Sequence, residues 1–200
     1  MSHDDRGKFT RRRFLEGAGL GAATTVAIDC KPPEVAEGAG DVEALGPKAV
    51  PVVLRVNGAD KKLSVEPRQT LAEVLRTELG MTGTKVVCDR GACSACTVWI
   101  DDVPVNSCMT FVLDAVGREV TTIEGLAKNG QLHPVQREFI AHDAAQCGFC
   151  TPGMVMSCAA LLHRKPSPSL DDVRAAVSGN LCRCATYPKV FSATLAASKG

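Results

Sequence analysis

Two hundred residues suffice for one ordinary domain or two small ones, each with a modest core. Aromatic residues make up 4% of the chain and the formal net charge is +1, so composition gives no reason to expect a nucleic acid or an acidic surface as partner. Cores so poor in aromatics bury limited apolar area and are commonly supplemented by bound metal, for which the chain offers ten cysteines.

Residues 1–30 read as an export signal. Thr10-Arg11-Arg12-Arg13-Phe14-Leu15-Glu16 fits the twin-arginine pattern, and a mild apolar run from Gly17 to Ile28 follows it. That run of twelve residues is too short for a membrane span, which needs roughly 20. A basic tail beside a short hydrophobic helix is the plainer alternative. Gly17-Ala18-Gly19-Leu20-Gly21-Ala22 matches a dinucleotide fingerprint by letter, but no strand precedes it and no βαβ unit surrounds it. A periplasmic location would ordinarily turn an even number of cysteines into disulfides. The twin-arginine route instead carries proteins already folded, often with cofactors in place, and so favours a metal cofactor.

Residues 31–48, rich in Pro, Gly, Ala and acidic side chains without periodicity, read as a flexible linker. Beyond it, Val52-Val53-Leu54-Arg55-Val56, the turn Asn57-Gly58-Ala59-Asp60 and Leu63-Ser64-Val65 predict a hairpin. Thr70 caps a predicted helix with Leu71, Val74, Leu75 and Leu79 on one face, and Gly80 ends it. A cysteine loop follows, then a strand over Thr97-Val98-Trp99-Ile100, a turn at Asp101-Asp102 and further short strands to about Thr122. Residues 49–122 thus form a small α+β domain.

In that loop Cys88, Cys93 and Cys96 fall within nine residues, and Cys108 joins them from the strand region beyond, giving C-x4-C-x2-C-x11-C. Gly91, Ala92, Ser94 and Ala95 are small enough for the backbone to curl and aim N–H groups at a common centre. This is the plant-type [2Fe–2S] spacing. Structural zinc, which usually pairs two short knuckles, fits it poorly, and disulfides are the other alternative.

Residues 123–200 read as four helices: from Pro134 to about His142, from Thr151-Pro152 to about Arg164, from Leu170 to Ser178 behind a Ser169 cap, and from Pro188 onward. A second thiol set lies between them: Cys147-Gly148-Phe149-Cys150 before a helix start and Cys182-Arg183-Cys184 in a turn. A helix N-terminus favours thiolate and a negatively charged cluster. Alone, this pattern could be zinc, a redox disulfide or a cluster. Beside the first set it predicts a second [2Fe–2S] centre, and no His–Cys pairing supports a Rieske site.

Gln146-Cys147-Gly148-Phe149-Cys150-Thr151-Pro152-Gly153 and Gly179-Asn180-Leu181-Cys182-Arg183-Cys184 resemble the iron–sulfur subunit of the molybdenum hydroxylases, the xanthine oxidase family. The Cys88-to-Cys108 block resembles the ferredoxin-like domain of that family, and the resemblance spans about residues 50–200. It implies a β-grasp ferredoxin-like domain followed by a four-helix bundle, each holding one [2Fe–2S] cluster. The second cluster would lie nearest the molybdopterin (cytosine dinucleotide) of a large partner subunit, approached by Gln146 and Cys184. The first, closer to the surface, would pass electrons to an FAD-binding medium subunit or a cytochrome. The export signal adds a resemblance to the periplasmic aldehyde oxidoreductases. Three places depart from the family pattern: Val87 and Ser94 stand where Gly is usual, and Ala185-Thr186-Tyr187 replaces Thr-Gly-Tyr.

The other candidate residues have plain readings. Cys158 is a small core residue on a helix, four positions from Met154 and Leu162. Cys30 belongs to the signal or linker. His3, His133, His142 and His163 are surface or capping residues, and the pairs Asp101-Asp102 and Asp171-Asp172 are a turn and a helix first turn, not acid–base pairs. No Ser/His/Asp set or phosphate loop offers this chain a catalytic residue of its own. The expectation is an electron-transfer subunit whose partner oxidises an aldehyde or N-heterocycle. A freestanding two-cluster ferredoxin and a disulfide- or zinc-stapled binding module are the alternatives.

Overall fold

Asn57 and Gly58 both take left-handed φ (53° and 78°) and make the two-residue turn that joins β1 (Val50–Val56) to β2 (Ala59–Val65). Ala59 and Asp60, expected in the turn, are therefore strand residues, paired with Val56 and Arg55. The structure, a computed structural model, describes residues 45–199; the proposed signal, most of the linker, His3 and Cys30 lie outside the described residues. No helix among the described residues is long and apolar enough to cross a membrane.

Helix α1 (Leu71–Thr77) starts at a capping box, with the Thr70 hydroxyl accepting the Glu73 N–H and the Glu73 carboxylate accepting the Thr70 N–H. Leu71, Ala72, Val74 and Leu75 are buried beneath it. Gly80, at φ 65°, lets the chain turn back so that the Met81 N–H reaches the Leu75 carbonyl. β3 (Thr97–Ile100) and β4 (Val103–Asn106) flank a tight turn in which Asp101 and Asp102 both have positive φ. With β5 (Glu119–Thr121) the strands form one mixed sheet in the order β2-β1-β5-β3-β4, parallel only between β1 and β5. The segment between β4 and β5, expected as short strands, is mostly two 3₁₀ turns, Ser107–Met109 and Val112–Ala115. Their buried residues serve the core beneath α1, so local pattern there records burial and not extension.

Four helices follow: α2 (Pro134–Ala141), α3 (Thr151–Arg164), α4 (Leu170–Ala176) and α5 (Tyr187–Ala197). Each matches an expected segment to within a few residues. The Nδ1 of His133 accepts the Val135 N–H at the head of α2, and Ser169 with Asp172 forms a capping box on α4. His142 is part-exposed and His163 exposed, next to Glu138 and Asp102 respectively.

β3 is buried on both faces and divides the molecule into two cores. Val98 and Ile100 pack with Leu54, Val65, Leu71 and Leu75 under the sheet. Trp99 points the other way, into the helical core with Met154, Met156 and Cys158, and its indole N–H donates to the Met156 carbonyl at 3.0 Å. Cys158 is fully buried there, as its helical spacing suggested, and burial pushes its thiol up to about 12.

The first turn of α3 runs against the cysteine loop of the other half. A Cβ on Gly153 would land on the Ser94 carbonyl oxygen and the Ala95 backbone, atoms that cannot swing aside. Alanine normally gains about 1 kcal/mol over glycine within a helix. Here that gain is smaller than the roughly 1–3 kcal/mol that overpacking against backbone costs. Gly153→Ala should therefore lower stability in denaturant titration, whereas Gly46→Ala, which meets nothing within 4 Å, should not.

Candidate metal centres

The first thiol set is built by a loop wound almost entirely from turns. Asp89, Gly91 and Ser94 take φ of 52°, 69° and 52°, and these left-handed residues curl the chain so that Cys88, Cys93 and Cys96 face one another. Cys108 enters from the 3₁₀ turn after β4, not from a strand. The Ser107 hydroxyl donates to the Cys96 carbonyl at 2.6 Å, the Asn106 amide donates to the Gly91 carbonyl at 3.1 Å, and the Gly91 N–H points at the Cys108 sulfur at 3.4 Å. Three of these cysteines are buried and Cys88 is part-exposed. Cys93 lies against Cys88 and Cys96 against Cys108, and Cys88 also acts on Cys108, so the thiols gather toward a common centre. The Arg90 N–H, helped by the Cys93 thiol, draws the Cys88 thiol down to about 7, while burial pushes Cys108 up to about 11.

The second set has the same two-by-two design. Gly148, at φ 82°, turns the loop carrying Cys147 and Cys150, and Ala185, at φ 60°, turns the one carrying Cys182 and Cys184. Cys150 faces Cys182, and Cys147 faces Cys184. The Tyr187 hydroxyl locks the C-x-C loop: it accepts the Cys182 N–H and donates to the Asn180 carbonyl, both at 2.9 Å. The Thr186 hydroxyl lies 3.3 Å from the Cys182 sulfur. Cys150 occupies the N-cap position of α3. Burial, reinforced by the Cys182 sulfur, pushes its thiol up to about 12. Burial also opposes ionisation of Cys182, yet the hydroxyl and N–H of Thr186 outweigh it and bring that thiol to about 7.

Cys88 and Cys93 of the first set and Cys147 and Cys150 of the second line one largely apolar cleft of about 380 Å³, walled by Val87, Ala95, Phe149, Leu181 and Arg183. Two contacts fix the loops across it: the Leu181 N–H donates to the Cys93 carbonyl at 3.1 Å, and the Asn180 amide donates to the Ser94 carbonyl at 3.1 Å. Gln146 and Cys147 are exposed at the outer rim of the second set, and Cys184 is part-exposed. In the chain by itself the second set is thus the more open of the two. Sequence reasoning named all eight thiols and Gln146 but gave no role to Asn180, Thr186 or Tyr187. Their positions within three residues of the C-x-C pair were the available signal.

The donor set separates the possible metals. A tetrahedral zinc ion needs its sulfurs gathered at about 2.3 Å from one point. Among the described residues no three Cys, His, Asp or Glu side chains are close enough together to share a single ion. Two pairs of thiols, each pair able to hold one iron, with backbone N–H groups turned toward the sulfurs, suit a two-iron cluster.

A ferredoxin-like half and a helical half, each gathering four thiols two by two, define a protein with two [2Fe–2S]-binding domains. Comparison with known proteins agrees: residues 54–127 match the 2Fe-2S iron-sulfur cluster binding domain, and residues 122–195 match a [2Fe-2S] binding domain. The aldehyde oxidoreductase iron-sulfur-binding subunit PaoA of Escherichia coli is 36% identical over 92% of this chain and 86% of its own length. The nicotine 6-hydroxylase small subunit of Paenarthrobacter nicotinovorans is 43% identical over 73% of this chain and 88% of its own. Quinoline 2-oxidoreductase from Pseudomonas putida superposes with a TM-score of 0.73 at 40% identity, over 76% of this chain and 95% of the matched one. The chain belongs to the iron–sulfur subunits of the molybdenum hydroxylases, the xanthine oxidase family, and is an electron-transfer subunit of an oxidoreductase complex.

The thiol environments predict an order of reactivity in metal-free protein. Alkylation follows the thiolate fraction, so a lowered thiol reacts at lower pH. Cys88 and Cys182 should be modified first, with rates that rise through pH 7 and level off above it. Cys150 and Cys158 should stay unmodified until the protein unfolds. Peptide mass spectrometry after timed iodoacetamide treatment checks the order.

Proposed function

We propose that this chain is the electron-transfer subunit of a periplasmic, molybdenum-dependent aldehyde oxidoreductase, with an N-heterocycle as the other substrate class. Residues 1–30 serve as a twin-arginine signal and 31–48 as a linker. Residues 49–122 form a β-grasp ferredoxin-like domain, and 123–200 a four-helix bundle. Cys88, Cys93, Cys96 and Cys108 hold one cluster; Cys147, Cys150, Cys182 and Cys184 hold the other. The partner subunits carry molybdopterin, as the cytosine dinucleotide, and FAD, or a cytochrome takes the place of the flavin.

The observation that carries this reading is the paired arrangement of thiols in two sets across one cleft. A [2Fe–2S] group bound at each site stores one electron at a time, at a potential set by donors to its sulfurs and by exposure. The chain's own residues do the remainder. Val87, Phe149 and Leu181 wall the shared cleft with apolar surface, and the Leu181 amide ties the two loops at a fixed separation. Tyr187 holds the C-x-C loop in one conformation.

Partnership is favoured over a freestanding carrier by the surface. Leu132, Ile140, Phe149 and Leu181 are large apolar side chains between 47% and 70% exposed in the helical half. Of these, Phe149 and Leu181 wall the cleft beside the thiols, and exposed apolar surface there suits coverage by another subunit. Gln146 and Cys184, at the open rim of the second set, then face the molybdopterin.

Metal analysis of whatever accompanies the chain from its native source tests the assignment. Iron and molybdenum should elute together, with iron at about four atoms per chain for two two-iron groups. Iron without molybdenum on a chain isolated alone under gentle conditions would establish a freestanding carrier. Replacing Arg11 and Arg12 with Lys should leave the chain and its partner subunits in the cytoplasm; partner subunits still reaching the periplasm would refute their export on this chain's signal.

A further inference from the structure

Thr186 stands at the N-cap of α5, where a threonine hydroxyl ordinarily accepts a hydrogen bond from the second or third N–H of the helix. It makes no such bond here. Its hydroxyl oxygen lies 3.3 Å from the Cys182 sulfur, and that sulfur is its hydrogen-bond partner among the described residues. Thr186 is only 3% exposed, so water does not compete for the hydroxyl. Between neutral groups either atom could donate. A metal-bound cysteine is a thiolate without a proton, which leaves the hydroxyl as the donor.

We infer that the Thr186 hydroxyl donates a hydrogen bond to the Cys182 sulfur and so raises the reduction potential of the second site. The inference rests on the ligand assignment proposed above. Reduction by one electron adds negative charge to the sulfurs, and a donor to a sulfur stabilises the more negative state. Thr186 is thus a positioning and tuning residue: it touches a ligand and no reacting atom. In the proposed relay its effect makes the site beside the partner easier to reduce. The helix N-cap goes without its usual side-chain bond, which fits a threonine placed for the sulfur and not for the helix.

Three variants of the full chain, each isolated with the subunits that accompany it, provide the test. Thr186→Val keeps the shape and removes the hydroxyl, Thr186→Ser keeps the hydroxyl, and Thr186→Ala stands in should the valine variant fail to load iron. Iron content tests the ligand assignment separately: about four irons per chain uphold it whatever the potentials do. Stepwise reductive titration followed by electron paramagnetic resonance then reads the two one-electron waves. In the hydroxyl-free variant one wave should move negative by about three- to tenfold in equilibrium constant, as for an ordinary hydrogen bond, while the other stays in place. Tenfold corresponds to about 59 mV for a one-electron couple. Thr186→Ser should return the displaced wave. Unshifted waves in the hydroxyl-free variant, or a serine variant displaced as far as the valine one, would overturn the inference.

Discussion

The carbonyl oxygen of Ser94 holds the two halves of the molecule in register. It accepts the Thr97 N–H at 3.4 Å, the Thr97 hydroxyl at 2.8 Å and the Asn180 amide at 3.1 Å, while Gly153 packs its bare Cα against it. Three stretches of sequence far apart in the chain meet at this one atom: the first cysteine loop with the start of β3, α3, and the turn ahead of Cys182. Ser94 reaches the position only through a left-handed φ of 52°, a conformation that costs a non-glycine residue roughly 1–2 kcal/mol. The bonds converging on its carbonyl offset that cost. The neighbouring Cys93 carbonyl accepts the Leu181 N–H, so consecutive peptides of one loop anchor the other.

From this junction the rest of the site geometry follows. Each cysteine loop is irregular backbone, and irregular backbone holds a fixed shape only when its polar groups are satisfied. In the first set Ser107 and Asn106 supply side-chain donors to loop carbonyls; in the second, Tyr187 bonds to two peptides at once. The apolar walls between the sets come from the same loops. The Leu181 and Asn180 hydrogen bonds hold the two thiol sets at a fixed spacing across the cleft. The environments still differ: three cysteines of the first set are buried, while those of the second are exposed or part-exposed.

The sequence was most legible where chemistry is tied to spacing. Eight cysteines could be sorted into two sets by interval alone, and four helices could be placed from proline and cap residues. Thr70 with Glu73 and Ser169 with Asp172 are local signals whose physics acts within a single turn. What escaped were features set by distant partners. The short strands expected up to about Thr122 are there as β4 and β5, but the stretch between them forms 3₁₀ turns that carry Cys108 to the loop and pack residues under α1. Burial raises the Cys150 thiol at the head of α3, a property no local pattern reports. Thr186 stood out in the sequence only as a departure from the family's usual run after C-R-C, and Tyr187 only as its matching end. Their roles emerged once the fold placed both side chains against Cys182.

Spin counting on the fully reduced protein by electron paramagnetic resonance addresses the central claim, that two adjoining thiol sets each hold a two-iron cluster. One reduced [2Fe–2S] group in each set, with both sets lining a single cleft, should give two unpaired spins per chain. At low temperature their signals should be split or broadened by each other. A silent sample, as zinc or disulfides would give, would contradict the account. So would a single spin per chain, or two spins with no mutual interaction.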